Sequence, residues 1–119
     1  MRRQHFDLAA DTNVLVGKPA SPPSEQAIVA LADALTDLPE VAEAHLAECF
    51  IPRVSEAPAL VLILVLRQDA SAERVMGALS PRLGRIVPPG EYLDVWPLPS
   101  DHRVVAAVRS AGCAILARA

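Results

Sequence analysis

A chain of 119 residues, 52% hydrophobic and 21% charged, is long enough for one domain and too apolar to stay disordered. Its formal net charge is −3 and its arginines are interleaved with acids rather than gathered in a basic stripe, which excludes nucleic acid as the expected partner. The aliphatic run from Leu60 to Leu66 falls far short of the roughly 18 residues that a membrane-spanning helix needs, so no membrane partner is expected and the expected location is the cytoplasm.

Residues 1–12 mix charge with small residues without a period and are expected to form an arm, leaving 13–119 as a single α+β domain. Val14-Leu15-Val16-Gly17 predicts a short strand closed by glycine. Ser21 with Pro22 then offers a cap and first residue for a helix whose apolar face is Ile28, Leu31, Leu35 and Leu38, ended by Pro39. From Val41 to Ile51 a period of two predicts a strand. Pro52 to Pro58 turns the chain into Leu60 to Leu66, and the two strands are expected to pair antiparallel. That second strand has no polar face, so both of its sides must be covered.

Asp69 is the candidate cap for a second helix built on Val75, Met76, Leu79 and Leu83, with Pro81 expected to kink it or split off its last turn. The turn Pro88-Pro89-Gly90 launches a strand from Tyr92 to Trp96 that Pro97 and Pro99 should stop. Ser100 is the candidate cap of a third helix carrying Val104, Val105 and Val108 on one face. Gly112 ends that helix, and Cys113 to Leu116 reads as a last short strand. The first six elements run β-α-β-β-α-β, the order of a ferredoxin-like antiparallel sheet with both helices on one face. The second face would then carry Val41, His45 and Cys49, alternate aliphatic residues of Leu60 to Leu66, and Tyr92 and Trp96, an apolar area that must be covered by the third helix, expected to give partial cover, or by a second copy. His45, Tyr92, Trp96, Val104 and Val108 are therefore the candidate interface residues, and a homodimer or another protein is the expected partner.

No catalytic constellation emerges. Gly17-Lys18 lacks the upstream glycine of a phosphate loop, and Pro19 stands where its hydroxyl would be. His45 and Cys49 share a strand face, but four strand residues separate their Cα atoms by about 13 Å, too far for one zinc ion or for a nucleophile and its base. Ser100-Asp101-His102 places triad residue types in succession, where they cannot adopt triad geometry; a helix cap explains the first two. Cys49 and Cys113 have no metal or redox spacing and are expected to be free thiols. No cofactor and no metal is expected.

The segments Leu15-Val16-Gly17-Lys18-Pro19, Leu38-Pro39-Glu40-Val41-Ala42-Glu43-Ala44-His45-Leu46-Ala47 and Pro89-Gly90-Glu91-Tyr92-Leu93-Asp94-Val95, with the helix and aliphatic strand between them, resemble the C-terminal domain of the enhanced-serine-sensitivity protein family, SseB. The resemblance spans Val14 to Leu116. It departs at the last strand, where the family's aromatic ending is replaced by Gly112-Cys113-Ala114-Ile115. The resemblance implies a bacterial cytoplasmic protein with a regulatory or interaction role and no enzymatic mechanism, and it carries over no functional residue. The expected function is a non-enzymatic interaction module that self-associates through a sheet face. The alternative is an amino-acid sensor, motivated by the serine in the family name, with Asp11, Thr12, Asn13 and Lys18 as polar contacts.

Overall fold

The computed structural model describes residues 14–52, 57–87 and 93–118. The arm, all of its expected contact residues except Lys18, and Tyr92 therefore lie outside the described residues. Eight elements follow in order: β1 (Leu15–Gly17), α1 (Glu25–Leu35), β2 (Val41–Phe50), β3 (Ala59–Leu66), α2 (Ala72–Ile86), β4 (Asp94–Pro99), α3 (Val105–Ser110) and β5 (Ala114–Ala117).

The strands form one mixed sheet, ordered β1-β2-β3-β4, with β5 also paired to β2. β2 and β3 make the expected antiparallel hairpin, from Val41 opposite Leu66 to Cys49 opposite Ala59, with one irregularity after Val41. β4 runs parallel to β3, joined to it through α2. The ferredoxin-like antiparallel sheet is thus not the one formed, although the element order matched it. A ferredoxin-like sheet puts its first strand at the centre. Here β1 has three residues and Leu15 is 60% exposed, so it supplies too little apolar surface for that place. The centre goes instead to β2 and β3. Along the edge of β2 that β3 leaves free, β1 covers Glu48 to Phe50 and β5 covers Glu43 to His45, so two short strands end to end do the work of one.

The aliphatic β3 run explains the layering. Leu62, Leu64 and Leu66 face α1 and α2, packing with Leu31, Leu35, Val75, Leu79 and Leu83. Val61, Ile63 and Val65 face the other way, against Trp96, Leu98, Val104, Val105 and Val108. All six are buried, each by roughly 1.5–3 kcal/mol of transfer free energy, and α3 is the helix that closes the second face.

Several boundaries moved for local reasons. The cap of α1 is Ser24, whose hydroxyl accepts from the Ala27 amide at 3.2 Å, and not Ser21. Pro23 disfavours helical backbone at the residue before it, so the helix cannot start at Pro22. Ser71 caps α2 through the Arg74 amide at 3.2 Å; Asp69, two residues earlier, adopts a left-handed φ of 69° in the turn. α2 runs through Pro81 without a split. β4 runs through Pro97 and ends on Pro99, because an edge strand tolerates missing donors and a spacing of two puts both prolines on one side. α3 begins after Val104, whose amide donates to His102 Nδ1 at 3.1 Å in the turn before the helix; Ser100 is not its cap, and no side chain makes a capping bond to it. Gly112, at φ 68°, ends α3 as expected.

The stretch between α1 and β2 is held by arginines from elsewhere. Arg118 donates to the carbonyls of Leu38, Leu35 and Thr36 at 3.0, 2.9 and 2.6 Å, filling acceptors that the end of α1 leaves open. Arg82 bonds the Ala34 carbonyl at 2.6 Å and pairs with Asp37, whose carboxyl it holds below its usual range. Arg67 Nε reaches the Pro39 carbonyl at 2.8 Å.

Candidate functional site

Four of the five side chains expected at an interface are gathered on the α3 side of the sheet, and this chain itself covers them. His45 is 3% and Trp96 7% exposed, and Val104 and Val108 are buried beneath or within α3. His45 and Trp96 sit in one row across the sheet, with Ile63 between them.

A polar tie fastens α3 over this face. Glu43 and His45 are two apart on β2 and so share a side. A carboxylate can only accept, so His45 Nε2 donates to Glu43 Oε1 at 3.0 Å. Arg109 of α3 grips the same carboxylate through Nε at 3.0 and 3.2 Å and through Nη2. The Arg109 guanidinium, and then the His45 bond, hold the Glu43 carboxyl below its ordinary range against the opposing effect of burial. The arrangement is a clamp, and His45 Nδ1 has no hydrogen-bond partner.

Asp94 opens β4 on the same face, 5% exposed, with Oδ1 unpartnered; burial raises its pKa above the ordinary 3.8. The folded chain therefore keeps this proton to higher pH than the unfolded chain does. Stability is greatest below the unfolded value, falls as pH rises through the raised folded value, and stays lower above it. Asp94→Asn should be more stable than the parent at pH 7, with the gain vanishing near pH 3. Urea unfolding of the two proteins at both pH values checks this, and Glu43, common to both, cancels in the difference.

Burial favours the protonated form of both thiols. Cys49 is free and buried, and burial first, with Cys113 and Asp94 adding, pushes its pKa to about 12. Cys113 is free and raised by burial. Among the described residues no group of three or more metal-ligating side chains comes together. None of the described helices is long and apolar enough to cross a membrane.

The exposed feature lies at the opposite corner. On β1 and β2, Leu15 faces Phe50 and Gly17 faces Glu48, so the four share the side of the sheet that α1 and α2 cover farther along. At this corner neither helix is among the lining residues: Leu15, Val16, Gly17, Glu48, Phe50 and Pro58 line an open apolar depression. Leu15 is one of two large apolar side chains exposed among the described residues, and nothing stands within 4 Å of where a Gly17 side chain would begin. Sequence reasoning missed this site because it read Gly17 as the close of a strand. The alternation Leu15, Gly17 on a three-residue edge strand was the available signal.

The profile of the SseB protein C-terminal domain matches residues 8–111. The chain belongs to the SseB C-terminal domain family. No curated protein and no solved structure matches it. Within this SseB C-terminal domain, the match takes in the whole sheet except β5, along with α1, α2 and α3. It thus contains the α3 clamp and the open corner alike.

Proposed function

We propose that this SseB C-terminal domain is a non-enzymatic interaction module that makes contact through the open corner and outer edge of β1. The observation that carries the reading is the contrast between the two ends of the sheet. β4 is blunted by Pro97 and Pro99, whereas β1 presents an exposed Leu15 and has no strand beyond it among the described residues. A free edge without proline can accept an added strand, here over the three residues of β1. Self-association belongs to the same reading, moved from the face that α3 covers to this edge. The amino-acid sensor gains no support, because Asp11, Thr12 and Asn13 lie outside the described residues and leave the exposed Lys18 as the one expected contact described.

The test compares the parent with Leu15→Asp. Both should melt alike, since Leu15 is exposed. Sedimentation velocity from 5 to 500 µM and retention of proteins from a bacterial extract then read association. A self-associating or partner-bound parent that loses the association in the variant supports the reading. A parent that stays monomeric and retains the same proteins as the variant overturns it.

A further inference from the structure

We infer that the partner of this corner is an extended segment of another protein carrying one lysine or arginine, with an apolar residue two positions away; the inference rests on the proposed interaction function. The argument starts from Glu48. This half-buried carboxylate is framed by Leu15, Val16, Phe50 and Pro58. It has no ion-pair partner among the described residues, where Glu40, Glu43 and Asp37 each have one. An uncompensated acid in an apolar frame favours an occupant that brings the opposite charge.

The register fixes where that charge must be. A strand added outside β1 lies about 4.8 Å from it, so its residue opposite Gly17 stands about 10 Å from Glu48, two strands away. A side chain at position 17 would fill the space between them. Gly17 leaves it open, and a glutamate and a lysine or arginine can meet across it. The partner residue two positions along falls opposite Leu15 on the same side, where Leu15 and Phe50 offer apolar contact. Backbone pairing with β1 supplies affinity, and the Gly17 notch supplies the choice of charge. A second copy adding its own β1 antiparallel to form a continuous sheet does not meet this demand, because the two-fold axis then stands perpendicular to the sheet and Lys18, which shares the side of Val16, stays on the side away from Glu48.

The probes are two labelled ten-residue peptides of alternating threonine and valine, one with a central lysine and the other with glutamate in its place. Binding to the full chain is followed by fluorescence anisotropy at 50 mM salt. The lysine peptide should bind at least tenfold more tightly, Glu48→Lys should reverse the order, and Gly17→Val, which meets no neighbour, should abolish the preference while leaving the fold intact by circular dichroism. Equal binding of the two peptides, no binding of either at 1 mM, or a preference that survives Glu48→Lys would overturn the inference. If these fail while Leu15→Asp still abolishes association of the parent, the interaction module stands and the basic partner does not.

Discussion

Trp96→Arg should cost the domain more than about 3–5 kcal/mol and leave it without a stable fold. Trp96 is 7% exposed and packs among Val61, Ile63, Val65, Leu98, Val104, Val105 and Val108. The substitution removes a large apolar side chain from that cluster and forces a guanidinium out of water into a face built of aliphatic residues. Loss of packing and the desolvation of a guanidinium add in the same direction, and a small domain has only about 5–15 kcal/mol of total stability. Trp96→Phe, which keeps most of the apolar volume, should cost much less. Urea unfolding of the parent and both variants reads the effect. A face reserved for a partner would give a different result: Trp96→Arg would fold normally and change only the association state. The same substitution thus separates a face sealed within the chain from a face open to another molecule.

Arg118→Ala should destabilise the domain by about 2–3 kcal/mol through a different mechanism. The guanidinium accounts for three bonds to the carbonyls of Leu35, Thr36 and Leu38, at the point where α1 gives way to β2. Bonds from a charged donor are worth about 1.5–3 kcal/mol each when buried and less where water competes, so the three together sum to this range. The backbone bond from the Arg118 amide to the Ala42 carbonyl remains in the variant, so β5 should loosen without leaving the sheet. Arg118→Lys should recover little, because an ammonium cannot span three divergent acceptors as a planar guanidinium does. Denaturant unfolding gives the size of the loss, and faster amide exchange confined to β5 and the end of α1 would identify its source.

The elements were legible in the sequence, while the way they assemble was not. Periods of two and 3.6 located every strand and helix core, because those periods record which side of an element is buried. The apolar run from Leu60 to Leu66 announced a strand covered on both sides, and α3 turned out to be the second cover. Strand order depends on which edge each strand selects, and that choice leaves no period in the chain. β1 looked like the first strand of a ferredoxin-like sheet, yet three residues with an exposed Leu15 suit an edge better than a centre. The caps were misplaced by two or three residues where a proline or a turn intervened, as at Pro23 and Asp69. The Glu43, His45 and Arg109 clamp joins residues 66 positions apart, and only the packing of α3 on the sheet brings them together. Trp96, Val104 and Val108 pack in one cluster on the side of the sheet that His45 faces, whereas Val41, read onto that side, packs with α1 and α2; what the sequence could not show was that six residues of α3 suffice to close the face.

Native-state amide hydrogen exchange by NMR, at 20 µM and again at 1 mM, tests most directly whether this chain closes its own second face. If α3 seals it, the amides of Ile63, Val65 and Val108 should be protected at both concentrations with the same opening free energy, and any protection that grows with concentration should be confined to β1. If α3 and β4 exchange freely in the dilute sample and become protected only in the concentrated one, a second copy covers that face, and the assignment of the contact surface to β1 is wrong.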